Sequence, residues 1–335
     1  MSGPSPTQRV LSAADLADYV RASFGPDRGV AACGPLAGGG FAAVWWVRLD
    51  DGREVVVKVA PPPTVPLLRY EQGLTAAEAR YFRLVATHAP RVPVPPVLHH
   101  GVDPVLGEWL VTGRLPGRSL SDLAASGGDG DRARYDFGTA LAEVHRVTGD
   151  RFGYDDGRTG GSTWAEAFTA MIEELLADGV DWGVPVPAQR IRSVVRRHRR
   201  LLDQVRRPAL VHFDGWDGNV LAEPAGGGSY RMCGLVDGER YLFGDPMVDL
   251  VSPLLLRRAE DEPDHPFLHG YAAAADDPPV FDANLRRRLG LYRMHLYLLM
   301  TVEMPSRGMT ADSHPDRRVG LARLLDEELT ALSHD

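Results

Sequence analysis

Two apolar, β-branched runs, FAAVWWVRL and REVVVKVA, are separated only by Asp50, Asp51 and Gly52. β-Branched and aromatic residues fit the pleated, half-buried surface of a sheet, and Asp-Gly supplies the tight connection of a hairpin. This pattern commits the region to antiparallel sheet. It also contains Lys58, the one lysine of the chain; the other 36 of 37 basic residues are arginine. An ammonium is a compact point charge on a thin stem, whereas a guanidinium is a wide planar fork. Lys58 stands between Val57 and Val59, which is not the setting of an ordinary surface lysine. A site needing a small cation at the end of a buried strand would keep lysine where arginine has replaced it elsewhere.

Around the hairpin the sequence reads as a small α+β unit. Residues to about Gln8 read as a disordered leader. Ser12 to Phe24 reads as a helix, with Ser12 as N-cap and Gly25 as its stop. TAAEARYFRLVATH is amphipathic at helical spacing, with Tyr81, Leu84, Val85 and His88 on one side. Prolines at 93, 95 and 96 end it, and VLHHGVD and EWLVTGRL read as two further strands. After LPGRS, a hinge-like stretch beginning at Leu115, the periodicity becomes mostly helical. RARYDFGTALAEVHRV, STWAEAFTAMIEELLAD, PAQRIRSVVRRHRRLLDQV and FDANLRRRLGLYRMHLYLLM are each of helix length. In the arginine-dense third segment, Ile191, Val194, Val195 and Leu201 face inward and the arginines form a solvated face. LYRMHLYLLM reads as core, and short strands are expected near Ala209 to Val211, Val220 to Ala222 and Tyr230 to Val236. Two lobes are expected, 1–114 and 115–335.

A net charge of −8 argues against a general nucleic-acid binder. Cys33 and Cys233 are too few for a disulfide framework and have no metal-ligand spacing. The first residues lack a charged-then-apolar leader and no apolar run reaches membrane-spanning length, so a cytoplasmic protein without a membrane partner is expected.

The chemistry concentrates in two stretches. PALVHFDGWDGNVLAE sets His212, Asp214 and Asn219 in a loop between apolar strands, and RMCGLVDGERYLFGDPMVDL places Asp237 at the end of another strand. An amide and a carboxylate on neighbouring loops offer the hard oxygens that Mg2+ takes together with nucleotide phosphates. A carboxylate five residues before the amide can face a hydroxyl and take its proton. Asp217 and the Asp237-Gly238 pair are also ordinary turn signals. His145 reads as a packed helix end, and His99 and His100 as strand or loop residues.

With VVVKV, EARYFRL before VPVP, VTGRLPG, LAEVH, HFDGWDGN, LVDGE and GDPMVDL in this order, the chain resembles the aminoglycoside phosphotransferases and related small-molecule kinases. The resemblance implies a bilobal protein-kinase-like fold with a small antiparallel-sheet N-lobe and a larger, mainly helical C-lobe. It implies that Lys58 contacts the α- and β-phosphates of ATP or GTP, that Asp214 is the catalytic aspartate, and that Asn219 and Asp237 hold Mg2+. Gly113 and Leu115 would offer backbone groups to the base, and His212 and Asp249 would support the catalytic loop. Glu78 matches the position of the lysine's carboxylate partner; a capping box from Thr75 to Glu78 would tie it elsewhere, and Glu71 is the competitor. The phosphate-covering loop would be LAGGGFAAV, with glycines 38, 39 and 40, not the G-x-G-x-x-G of protein kinases. Phe213 stands where the family often has glycine.

The expected reaction is transfer of a nucleoside triphosphate's γ-phosphoryl group to a hydroxyl of a small molecule. Glu166, Glu173, Glu260, Asp261, Glu262 and Glu303 would give the acceptor cleft an acidic lining suited to a polycationic aminoglycoside. An antibiotic acceptor, serving resistance or self-protection, leads. Primary metabolites of choline, homoserine or amino-sugar type are the alternative, and a catalytically inactive binding module is a further one.

Overall fold

The computed structural model describes residues 5–36 and 39–334. Five strands form the N-terminal sheet: β1 (Val30–Pro35), β2 (Ala43–Leu49), β3 (Glu54–Val59), β4 (Val97–Asp103) and β5 (Gly107–Gly113). Their order is β1-β2-β3-β5-β4 and every pairing is antiparallel. The hairpin register puts Val44 and Leu110 opposite Lys58, so the lysine is on the central strand. Helix α1 (Ala13–Phe24) covers one face of the sheet through Leu16, Tyr19 and Val20, which pack with Val47, Val55, Val57 and Val111. Each such fully buried side chain contributes roughly 1.5–3 kcal/mol. Ser12 caps α1 as expected, reciprocally with Asp15.

Helix α2 (Leu74–His88) lies on the other face, and its residues Leu74, Tyr81, Phe82 and Val85 belong to the same apolar cluster as the C-terminal half. Two readings need correction here. His88 is exposed, and Leu84 is only half-buried. The capping box does not form: the N-cap is Gly73 in a left-handed conformation, and Thr75 is buried inside the helix.

The remainder is mainly helical: α3 (Leu120–Ala125), α4 (Asp131–Val144), α5 (Trp164–Asp181), α6 (Ala188–Arg197), α7 (Arg199–Leu202), α8 (Pro266–Ala274), α9 (Ala283–Val302) and α10 (Pro315–His334). The single helix expected over the arginine-dense segment is broken at His198, a buried residue whose Nε2 meets the Leu332 carbonyl of α10 at 2.9 Å. Helix α9 exposes its arginine-bearing first turn and is buried all round from Leu289 to Leu299, Arg293 and His295 included. Short strands β6 (Arg118–Ser119), β7 (Phe152–Gly153), β8 (Gly160–Gly161), β9 (Ala209–Val211), β10 (Val220–Gly226), β11 (Ser229–Leu235) and β12 (Leu242–Gly244) carry the loops of interest. β10 and β11 pair as a hairpin, so the stretches after β9 and after β11 open side by side. Among the described residues no helix is long and apolar enough to cross a membrane.

The expected disordered leader is corrected for residues 5–8. Thr7 is fully buried and its Oγ1 donates to the Gly40 carbonyl at 3.0 Å, which anchors this segment to the sheet. Residues 1–4 of that expectation lie outside the described residues.

Candidate active site

Alternation along β3 buries Val55 and Val57, and Lys58 leaves the strand toward α2 and the loop after β11. Its Nζ lies 2.6 Å from Asp237 Oδ1, 2.6 Å from Glu239 Oε2 and 2.8 Å from Glu78 Oε2. These three residues offer oxygens within 4.8 Å of one another, close enough to share one cation, and the ammonium is that cation. Burial alone would lower the lysine's pKa; Asp237, Glu239 and Glu78 outweigh it and hold it well above the usual range. One ammonium does not offset three carboxylates. Burial, opposed by Lys58, pushes Glu78 up to about 8 and also raises Glu239. Asp237 goes the other way: against the cost of burial, Lys58 and Arg240 hold its carboxyl low. Its side chain is 35% exposed, against 5% for Glu78 and 7% for Glu239, so Asp237 is the carboxylate that reaches solvent.

Glu78, not Glu71, therefore pairs with Lys58. Glu71 accepts from the Leu68 amide at 2.9 Å and pairs with Arg307 at 2.5 Å. Asp237-Gly238 is not a hairpin turn either. Asp237 takes φ 64, a left-handed conformation that aspartate tolerates, and a short 3-10 helix over Gly238–Arg240 follows. A Cβ on Gly238 would stand 2.1 Å from Tyr81 of α2, so glycine is what lets this loop pass beneath the helix.

The loop between β9 and β10 is built around Asp249. This fully buried carboxylate accepts from the His212 amide at 2.8 Å and the Phe213 amide at 2.7 Å, and meets His145 Nε2 at 3.0 Å. His212 donates from Nε2 to the Val236 carbonyl and accepts the Asp214 amide at Nδ1, which fixes its tautomer and joins the two loops. Asn219 donates from Nδ2 to the Asp214 carbonyl at 2.9 Å, leaving Oδ1 as its acceptor. Asp214 is 22% exposed, with Arg240 3.8 Å away. Phe213 explains the departure from glycine: its φ is 68, where glycine is easiest, yet its buried ring stacks on His295 at 5.1 Å and 16°. Asp217 is occupied by Arg134 of α4 at 2.6 Å, in keeping with the turn reading.

Of the glycine-rich loop, Gly38 lies outside the described residues. Gly39 and Gly40 give their carbonyls to Gln8 Nε2 and Thr7 Oγ1. Gly113 donates its N–H to the Pro96 carbonyl at 2.9 Å, so that amide is not free for a base. Leu115 lies against Gly234, where a Cβ would meet its Cδ1 at 2.7 Å.

The expected acidic lining is corrected. All six of its members are matched with arginines: Glu166 with Arg199, Glu173 with Arg192, Glu260 with Arg293, Asp261 with Arg286, Glu262 with Arg257, and Glu303 with Arg240 and Arg307. Glu239 and Arg240 went unnoticed in the sequence. The available signal was a charged pair set between two apolar runs, CGLV and YLF, where a solvated pair is out of place.

An antiparallel sheet carrying one lysine, set against a mainly helical half with Asp214, Asn219 and Asp237 on adjoining loops, defines the bilobal, kinase-like class of small-molecule phosphotransferases. The chain belongs to the phosphotransferase enzyme family, whose sequence model matches residues 33–288. Solved structures agree in fold. A protein of Thermobifida fusca, provisionally assigned as a fructosamine-3-kinase, is 22% identical with a TM-score of 0.65, over 93% of this chain and 98% of that one. A thermostable mutant aminoglycoside phosphotransferase in ternary complex with AMP-PNP and hygromycin B is 18% identical with a TM-score of 0.60, over 94% and 98%. A phosphotransferase in complex with gentamicin is 15% identical with a TM-score of 0.62, over 98% of each chain. Among curated proteins, none matches the sequence at a significant level.

Proposed function

We propose that the protein transfers the γ-phosphoryl group of ATP or GTP to a hydroxyl of a small molecule, with residues 1–114 holding the nucleotide and 115–335 the catalytic loop and acceptor. The observation that carries this reading is the meeting of groups far apart in sequence. Lys58 reaches Asp237 at 2.6 Å, and His212 Nε2 at the Val236 carbonyl ties that loop to the one bearing Asp214 and Asn219. Lys58 draws the α- and β-phosphates toward the sheet, with Glu78 holding its ammonium in place. Asp214 orients the acceptor hydroxyl and takes its proton as the oxygen bonds to the γ-phosphorus and the bond to the β-phosphate oxygen breaks, releasing nucleoside diphosphate. Gly39 and Gly40 cover the phosphates, and Leu115, with the carbonyl of Gly113, meets the base.

The donor set fits Mg2+. Asn219 has Oδ1 as its acceptor, and Asp237 is the exposed carboxylate beside it, two hard oxygens on adjoining loops. When bound there, Mg2+ would neutralise phosphate charge.

An antibiotic acceptor is supported by neighbours crystallised with hygromycin B and gentamicin, and a sugar-derived metabolite by the neighbour assigned as a fructosamine kinase. The arginine-matched acids remove the particular argument for a polycation. Calorimetry with ATP and GTP in Mg2+, followed by phosphate transfer over an acceptor panel, tests the reading. Asp214→Ala is expected to bind nucleotide as the native protein does and to lose nearly all turnover. Nucleotide binding without transfer to any acceptor would instead favour an inactive binding module.

A further inference from the structure

Residues 39–42, the described part of the glycine-rich stretch, rest on the C-terminal half of the molecule and meet Arg307 there. The Arg307 guanidinium lies 5.2 Å from the centre of the Phe41 ring, and a Cβ on Gly40 would stand 3.4 Å from the Arg307 Cδ. Phe41 is 6% exposed and belongs to the apolar cluster that α2 shares with the C-terminal half.

Arg307 is fixed from its other side. It stands in the turn after α9, where the Ser306 hydroxyl and the Arg307 amide both donate to the Glu303 carbonyl, at 2.9 and 3.2 Å. Its Nη2 lies 2.5 Å from Glu71 and 3.3 Å from Glu303. Glu303 in turn meets Arg240 at 2.7 Å, and Arg240 faces Asp214 at 3.8 Å. Glu71 and Glu303 are both buried, so pulling the guanidinium away would strand a buried charge, which is strongly unfavourable. The contact with Phe41 is of another kind, a cation over a ring together with apolar packing, and it is weaker and less directional. One partner is therefore pinned beside the catalytic loop, while the other parts from it at low cost.

We infer that Arg307 is a positioning residue for the nucleotide: through Phe41 it latches residues 39–42 over the cleft, and these residues lift from it each time nucleotide enters or leaves. The nucleotide clause rests on the proposed kinase reading; the latch does not.

Two variants loosen the contact from opposite sides. Phe41→Leu keeps an apolar side chain and removes the ring. Arg307→Lys keeps a charge for Glu71 and Glu303 but replaces the flat guanidinium with a compact ammonium drawn toward the carboxylates. Hydrogen exchange on the full chain without nucleotide should show the amides of residues 39–42 opening roughly fivefold faster in each variant, with those of β3 unchanged. Stopped-flow release of N-methylanthraniloyl-ATP or its GTP counterpart in Mg2+ should accelerate by a similar factor. The double variant should add little, because both changes break one contact. Exchange at residues 39–42 that is unmoved in both variants, or that rises only in step with β3, would overturn the latch. Faster exchange with unaltered nucleotide release would overturn the positioning role, since a merely structural contact loosens the chain without touching release. Failure of the native protein to bind either nucleotide would instead sink the kinase reading, with the exchange result still deciding the latch.

Discussion

Lys58 Nζ and Asp237 Oδ1, separated by 179 residues in sequence, lie 2.6 Å apart. The contact joins the central strand of the sheet to the loop after β11, and two further carboxylates close on the same ammonium at 2.6 and 2.8 Å.

That crowding predicts the outcome of Lys58→Arg, usually called conservative. A guanidinium is planar and wider than an ammonium, and three oxygens within 4.8 Å of one another leave it no room to present a fork to all three. The variant should keep its fold, with kcat/KM lowered on the order of 10²–10³-fold, the usual loss when one charge-stabilising donor is misplaced. Steady-state kinetics with an acceptor that the panel shows to be phosphorylated check this; native-like activity would remove the account of why one lysine persists among arginines.

How much of this was legible beforehand follows the range of the interactions involved. Strand alternation, the Asp-Gly connection and the Ser12 cap are local, and they located β2, β3 and α1. That Asp214, Asn219 and Asp237 fall on adjoining loops was legible because each stands near the end of an apolar strand. The partners of Glu239 and Arg240, and the Glu71–Arg307 pair, were not legible, because they come from distant segments that local spacing does not encode. The expectation of an acidic cleft failed for the same reason: a carboxylate's sequence position does not reveal the arginine that neutralises it.

Stability should fall as pH rises across the neutral range, with Glu78 a principal contributor and the raised Glu239 acting in the same direction. Burial raises this carboxyl from 4.5 to about 8, so the folded chain holds a proton that the unfolded chain has already released. Its contribution is complete below 4.5 and is lost as pH rises through about 8. Asp237, held low mainly by Lys58, acts oppositely and costs stability only in acid. Urea denaturation at a series of pH values should show a decline over this interval that Glu78→Gln flattens. An equally steep decline in the variant would assign the effect to another group.

A second titration belongs to His295, which burial lowers from 6.5 to about 4. The unfolded chain binds the proton first, so this group's contribution is present above 6.5 and lost as pH falls through about 4. His295→Phe preserves a ring against Phe213 and removes the titration. It should therefore be relatively more resistant to acid than the native protein, as read by denaturation midpoints below neutrality.

Phe213→Gly sets backbone strain against packing. A left-handed residue regains roughly 1–2 kcal/mol on becoming glycine, whereas deleting a buried phenylalanine ring costs roughly 3–5 kcal/mol. Packing wins, because the ring is 1% exposed and stacked on His295. Equilibrium unfolding should show a net loss of roughly 1–4 kcal/mol; a gain would mean that the strain had been underestimated.

The segment before α1 ties the glycine-rich stretch to both halves of the molecule. Thr7 Oγ1 and Gln8 Nε2 donate to the Gly40, Gly39 and Ala42 carbonyls at 3.0, 2.8 and 3.1 Å, and Pro6 rests against Gly308, where a Cβ would stand 3.0 Å from its Cδ. Each of these hydrogen bonds is worth about 1 kcal/mol net, so losing all three loosens the stretch without unfolding the sheet. Thr7→Val combined with Gln8→Leu keeps the side-chain volume and removes the donors. If Gly39 and Gly40 cover the phosphates, this double variant should raise the nucleotide KM roughly tenfold while kcat at saturating nucleotide changes less than about twofold. A lower melting temperature with an unchanged KM would make the segment a structural anchor only, because a stretch that never meets the nucleotide has no route to the binding term.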